Sequence, residues 1–439
     1  MQFDPSLDNT LCNYPFMELA LKDWGGNGKI RRASMCCNMM RPENKDPLNI
    51  GTDLDHLSID EIWNHDNVKQ LRKDLLNGVK NSACDVCWKM EKDTGDSYRL
   101  NSKQNHVDID IDTENPILQM VDLSTGDACN LRCQMCHPGT SNQLRTDLQG
   151  FKELGYHHEY WMDYNKKDPH KYFDKGAPNK AFHEPDVNSE QWKDLKNKLK
   201  YIKKLNATGG ETLVARPFID LMDYAIKSGD AKHISLDFTT NATKFTKANI
   251  ERFNQFEKLS PTLSIDAIGT TYDYCRWPAN WDKIDKNIKD FIDNCTNLHS
   301  IHVNYVLQTY NALDILDTVE YFEKIYETYN IETIFHIDLI FPIGRFTDVK
   351  HLPKDILQKS KEQIQKSLDK ERKNLYINVI KALNYIDKVL EEQIPDNDML
   401  RKLSIDTHMF DTVRKRHYSN YLKPEITNFL KMLEMKYVR

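Results

Sequence analysis

Three thiols fall within eight positions of one another in the segment DACNLRCQMCHPGTSN, residues 127 to 142: Cys129, Cys133 and Cys136, spaced C-x3-C-x2-C. Thiolates are soft ligands, and three of them in one loop can wrap a single cuboidal iron-sulfur cluster, each holding a different iron. Three ligands on four irons leave one iron with a coordination position for a small molecule, whereas a fourth cysteine would close the cluster into an electron carrier. A zinc site completed by a residue such as His137, or a set of buried thiols, is the plainer reading of the same spacing.

A second group of thiols precedes this one. Cys84 and Cys87 form CDVC, and with Cys12 and one of the adjacent Cys36 and Cys37 they make a four-thiol set. Such a set suits structural zinc or a fully ligated iron-sulfur cluster, and the spacing does not choose between them. Cys36 is the preferred third ligand and Cys37 the alternate. The chain has ten cysteines in all. It lacks a basic start followed by a long apolar stretch, which predicts a soluble, cytoplasmic protein whose thiols serve metal rather than disulfides.

The elements that must position these thiols are legible from residue 116 onward. Strand candidates at 117–125, 203–209, 233–241, 261–268, 300–308 and 333–341 alternate with helical patterns. Six such units predict an α/β fold with a parallel sheet wound in one sense. Each of the last four strands has one polar face: Ser235, Asp237, Thr239 and Asn241; Ser264 and Asp266; His302, Asn304 and Gln308; His336 and Asp338. With helices covering the other face, the polar one must line a ligand-filled interior, so a partial (β/α)6 TIM-like barrel is predicted, with its site at the C-terminal strand ends.

Residues 1–112 lack that alternation and read as a Cys-rich domain built from a hairpin over residues 15–37, a helix over 58–78, and CDVC. Residues 113–345 are then the barrel, and 346–439 a C-terminal helical extension starting near Pro353. The stretch 155–192, rich in aromatic residues and His, reads as a long insertion after the first helix, either a substrate-facing lid or a structural excursion. A net charge of −6 on 439 residues gives no footprint for nucleic acid, and no run of apolar residues is long enough to span a membrane. The basic runs Lys29 to Arg32 and Arg414 to Arg416 read as solvated faces.

The cysteine loop, placed after the first strand, resembles the signature of the radical S-adenosylmethionine (SAM) enzymes. Met135 stands where that family usually has an aromatic residue before the third cysteine. The second strand ends in TGGET, similar to the family's Gly-Gly-Glu motif, at Gly209, Gly210 and Glu211. The resemblance implies a 4Fe-4S cluster on Cys129, Cys133 and Cys136 that binds and reductively cleaves SAM to a 5'-deoxyadenosyl radical, which abstracts hydrogen from a substrate. It further implies that Gly209 to Glu211 meet the methionyl amino group, that Arg276 binds its carboxylate, and that Ser264 and Asp266 bind the ribose, with Asn241 and Asn304 as further contacts. The order of the N-terminal thiols resembles the SPASM and twitch auxiliary-cluster domains, closest to the one-cluster twitch type, and implies an auxiliary 4Fe-4S cluster on Cys12, Cys36 or Cys37, Cys84 and Cys87. Family members with such domains commonly act on peptides or proteins and take electrons from a flavodoxin or ferredoxin. A non-catalytic iron-sulfur or zinc protein on a barrel scaffold is the alternative. Cys275, beside Arg276, reads as a packed thiol or a hydrogen-atom donor; Cys295 reads as packing.

Overall fold

Four strands line up their apolar residues in two buried rows. Leu19, Val121, Leu205 and Leu236 are register partners in turn, and Leu21, Leu123, Ala207 and Phe238 form the next row. All eight side chains are buried. The strands are β1 (Glu18–Trp24), β3 (Met120–Ser124), β4 (Lys204–Thr208) and β5 (Ser235–Thr240), all parallel; β2 (Ile30–Ser34) pairs antiparallel with β1. The remaining strands are β6 (Lys258–Ser264), β7 (Ser300–Val306), β8 (Glu332–Asp338) and β9 (Tyr376–Ile377). This computed structural model describes residues 10–24, 27–39, 54–94, 97–102, 111–156, 183–338, 347–368, 376–377, 379–392 and 396–438. Most of the insertion expected at 155–192 lies outside them.

The described chain divides into two compact units. The first comprises residues 1–127, 181–238 and 252–258 and holds β1 to β4 with most of β5. Its helix Arg216–Ser228 begins with Pro217 in the first turn and ends at Gly229, whose φ of +82° is the left-handed cap that glycine adopts without a Cβ penalty. That helix turns Phe218, Leu221, Met222 and Ala225 inward, and Phe218 and Phe253 both pack on Phe238 of β5. On the opposite face the sequence put polar residues, and these form a charged ladder. Lys22 is paired with Asp122 and donates to Thr208 Oγ1 at 2.8 Å, Asn206 donates to Asp122 at 2.7 Å, and Lys204 pairs with Asp237 at 2.7 Å.

The second unit comprises residues 128–180, 239–251 and 259–439. Here β6, β7, β8 and β9 are parallel, with Leu263, Val303 and Phe335 as one buried row and Ser264, Asn304 and His336 as the polar one. The helix Trp281–Asn294 is capped by Asn280, whose side chain accepts from Lys283 N, and buries Ile284, Ile288, Phe291 and Ile292. Four long helices follow, Lys354–Leu368, Val379–Glu392, Asn397–Arg414 and Pro424–Tyr437.

The fold is α/β, and β3 to β8 supply the six strands of the expected (β/α)6 alternation. The hairpin assigned to the Cys-rich domain joins the sheet: β1 pairs in parallel with β3, and its Leu19 and Leu21 continue the apolar rows of β3. One expectation is corrected. The C-terminal segment is not helical throughout, since Tyr376–Ile377 adds a short strand to β8. The contact units also cut across the divisions at 112/113 and 345/346. Among the described residues no helix is long and apolar enough to cross a membrane.

Candidate cluster and nucleotide sites

In the second unit the cysteine loop is held from both sides by backbone hydrogen bonds to one short segment. Arg132 N donates to Trp277 O at 2.6 Å and Gln134 N to Cys275 O at 2.8 Å, so the residues between the first and third thiols lie along 275–277. Cys129 N takes the Asn142 side chain as acceptor at 3.3 Å, and Cys136 Sγ lies 3.3 Å from Thr140 Oγ1. Cys129 and Cys133 are buried and Cys136 half-buried. Burial pushes the Cys133 thiol above its ordinary value, with the Arg276 guanidinium pulling against it and the charges of Cys136 and Cys129 adding to it.

Arg276 follows the helix Gly269–Cys275 and is itself buried. Its Nε lies 2.7 Å from Asp266 Oδ2 and its Nη1 4.0 Å from Cys133 Sγ. Burial opposes its charge, but Asp266 and Cys133 together raise its pKa above the ordinary arginine value. Asp266 is fully buried; its Oδ1 accepts from Val306 N at 2.9 Å and its carbonyl from Asn311 at 2.6 Å. The carboxylate expected to meet ribose is therefore occupied in holding Arg276 and β7. Ser264 and Asn304 are half-buried register partners on the polar face. Asn241 donates to Asn130 Oδ1 at 3.0 Å and accepts from Thr243, tying the end of β5 to the cysteine loop. Cys275 is fully buried, which suits the packed reading. His302 and His336 share a hydrogen bond at 3.1 Å on the polar face of β7 and β8.

In the first unit, Gly209 sits where a Cβ would meet Thr125 Oγ1 at 2.4 Å and Gly126 O at 2.9 Å, so the loop after β3 fills the space a side chain would need. Gly210 N donates to Gly126 O at 2.9 Å. Glu211 is buried and its carboxylate accepts from Leu213 N at 3.1 Å, closing the turn that follows.

The N-terminal thiols of this unit come together. Cys12, Cys36, Cys84 and Cys87, with Tyr14 and Tyr98, line one small cavity; Cys37 is not among its lining residues. Burial raises the Cys12 and Cys36 thiols, and pushes Cys84 up to about 12 with the charge of Cys87 adding to it. Burial, then Asp122 and Glu18, push Cys37 up to about 12 as well. Metal binding here would displace protons from thiols that otherwise keep them. No three His, Cys, Asp or Glu side chains among the described residues converge on the position of a single metal ion.

Other residues around the loop carry no mark of their role in the sequence. Asp147, buried in the helix Leu144–Glu153, accepts from Arg132 Nη1 on one oxygen at 3.0 Å and from Arg414 Nη2 on the other at 2.7 Å. Arg416 donates to Tyr274 O at 2.9 Å and lies 3.9 Å over the Tyr274 ring. The Arg414 and Arg416 side chains are 0% and 1% exposed, so of the run read as a solvated face both arginines are buried and Lys415 between them is exposed. Phe410 and Asp411 are partners near in sequence, but Asp147, Tyr274 and Trp277 are distant and give no local signal.

Residues 123–322 match the profile described as the Radical SAM superfamily. These 200 residues are thus similar to a radical SAM domain. Its three cysteines, Arg276 and the Gly-Gly-Glu segment all fall within the matched residues. Among solved structures, SuiB of Streptococcus suis bound to S-adenosylmethionine is similar at 13% identity and a TM-score of 0.30, covering 68% of this chain and 60% of that one. SuiB bound to the precursor peptide SuiA gives 12% and 0.34, covering 69% and 64%. A structure of anSMEcpe with bound AdoMet and the Kp18Cys peptide gives 11% and 0.34, covering 73% and 97%. The chain thus spans 60 to 64% of the length of these SuiB structures. No curated protein matches the chain.

Proposed function

We propose that the chain is a radical SAM enzyme that removes a hydrogen atom from a peptide or protein. The observation that carries this reading is the C-x3-C-x2-C loop held along residues 275–277, with the Arg276 guanidinium 4.0 Å from Cys133 Sγ. The donor set fits a cuboidal cluster: three thiols from one loop, buried or half-buried, beside a fixed positive charge that favours thiolate over thiol. When bound, the 4Fe-4S cluster supplies the electron that cleaves SAM to the 5'-deoxyadenosyl radical. Cys129, Cys133 and Cys136 would hold it.

The chain's own residues bind and orient. Arg276, kept charged by Asp266, is a preorganised anion-binding group that offers its remaining N–H groups to the SAM carboxylate. Ser264, Asn304 and Asn241 offer hydrogen bonds to the ribose, and Asp266 acts on the SAM carboxylate through Arg276. In the first unit, Gly209, Gly210 and Glu211 are carried over for the methionyl amino group. The four-thiol cavity supports an auxiliary 4Fe-4S cluster on Cys12, Cys36, Cys84 and Cys87. The peptide class rests on the likeness of this thiol set to twitch domains, which is analogy; a flavodoxin or ferredoxin would supply electrons.

The test is product analysis after anaerobic reconstitution with iron and sulfide. The intact protein with SAM and dithionite is expected to form 5'-deoxyadenosine and the Cys133→Ala variant none. Absence of turnover in an intact, iron-loaded protein would leave a non-catalytic iron-sulfur protein.

A further inference from the structure

The cysteine loop is braced by the C-terminal segment through two buried arginines. The first brace runs through Asp147. One of its oxygens takes Arg132, inside the loop between Cys129 and Cys133, and the other takes Arg414 at the end of the helix Asn397–Arg414. Asp147 and Arg414 have no exposed side-chain surface. Arg414 also lies 4.4 Å over the Phe410 ring, and Phe410 packs edge-on against Phe151 of the helix Leu144–Glu153. Leu144, Phe151 and Phe410 form one buried apolar cluster, and Cys136 packs against it. The two helices approach so closely that a Cβ on Gly150 would meet Val413 at 2.7 Å.

The second brace runs through Arg416, which is paired with Asp411 at 3.2 Å. It donates to Tyr274 O, and its guanidinium lies 3.9 Å over the Tyr274 ring and 5.1 Å from the Trp277 ring. Trp277 and Cys275 are the residues whose carbonyls receive the loop's Arg132 and Gln134 N–H groups. Arg414 therefore fixes the loop from its own helix, and Arg416 fixes the segment that the loop lies along.

We propose that Arg414 and Arg416 are positioning residues that hold Cys129, Cys133 and Cys136 in the conformation that receives the cluster. The proposal rests on reading that loop as a cluster site, but the geometry it asserts exists without metal. A guanidinium suits the role because it is planar, always charged, and able to serve a carboxylate and an aromatic face at once.

The test uses the full chain, reduced and free of metal. Alkylation of each cysteine by iodoacetamide is timed by peptide mass analysis in the parent, in Arg414→Ala and in Arg416→Ala, with Lys402→Ala as a control in the same helix. Cys129, Cys133 and Cys136 should react about tenfold faster in both arginine variants, as local opening of the loop would allow, while Cys295 and the N-terminal thiols keep their rates. Arg414→Lys should recover part of the protection. Unchanged rates at the three thiols overturn the proposal, as does a rise shared by every cysteine. If Arg414→Ala does not fold, Arg414→Gln is read the same way and decides. A selective rise in a chain that never binds iron keeps the positioning role and removes the functional reading; SAM cleavage with unchanged alkylation does the reverse.

Discussion

Arg276 and Asp266 are a buried ion pair at 2.7 Å, and Asp266 has no exposed surface. The acid sits just past β6 and bonds the backbone of β7, while the arginine ends the helix Gly269–Cys275 and faces Cys133. A single pair thus registers two strands, a helix and the cysteine loop. An arginine that met its anion unassisted would have to be ordered on binding; this one is already fixed.

Removing one member of such a pair strands the other charge away from water. Asp266→Ala should destabilise the protein by about 3–5 kcal/mol, the usual cost of an unpaired buried charge, read as a fall in the urea midpoint. A loss below about 1 kcal/mol, the range of exposed pairs, would mean that water reaches Arg276.

The cavity of the first unit distinguishes two neighbours in sequence. Cys36→Ser should lower bound iron after reconstitution to about half, the share of the cysteine-loop cluster, whereas Cys37→Ser should keep the full content. The reverse pattern would exchange their roles, and stoichiometric zinc with unaltered iron would replace the auxiliary cluster by a zinc site.

Burial and, after it, His302 lower the His336 pKa from 6.5 to about 4. An unfolded chain takes up this proton near pH 6.5, and the folded one refuses it until about pH 4. The neutral ring's contribution is therefore complete above pH 6.5 and is lost as the pH falls toward 4. Allowing for partial exposure it amounts to roughly 2 kcal/mol. Urea midpoints between pH 7 and 4.5 should fall less steeply in His336→Gln than in the parent; parallel curves would show that the ring is hydrated.

Gly209 admits no side chain without displacing backbone. Gly209→Ala brings a Cβ to 2.9 Å from Gly126 O, a contact that flexible side-chain atoms cannot relieve. Overpacking of this kind costs about 1–3 kcal/mol. Thermal unfolding with no change in midpoint would show that the loop after β3 yields freely.

The six parallel strands were legible because two periods alternate along the chain: every second residue in stretches such as LSIDAI, every third or fourth in WDKIDKNIKDFIDN. Both are local properties of the backbone. The partner of the first hairpin was not legible, since nothing in ELALKDW says that Leu19 will lie beside Val121, about a hundred positions on. Asp266 was readable as inward-facing, but its pairing with Arg276, ten positions on, was not. Arg414 and Arg416 looked like solvent-facing charges because most such runs are; their burial depends on Asp147, Tyr274 and Trp277, which only the folded chain brings near.

The parallel pairing of β1 with β3 makes the thiol-bearing segment inseparable from the strand that leads into the cysteine loop. Cutting the chain after residue 112, as a means of obtaining a lone catalytic barrel, would strip β3 of a neighbour and bare its backbone N–H and C=O groups along one side. Such an open margin recruits other chains. The shortened protein would be expected to precipitate, and its failure would be one of solubility rather than of chemistry.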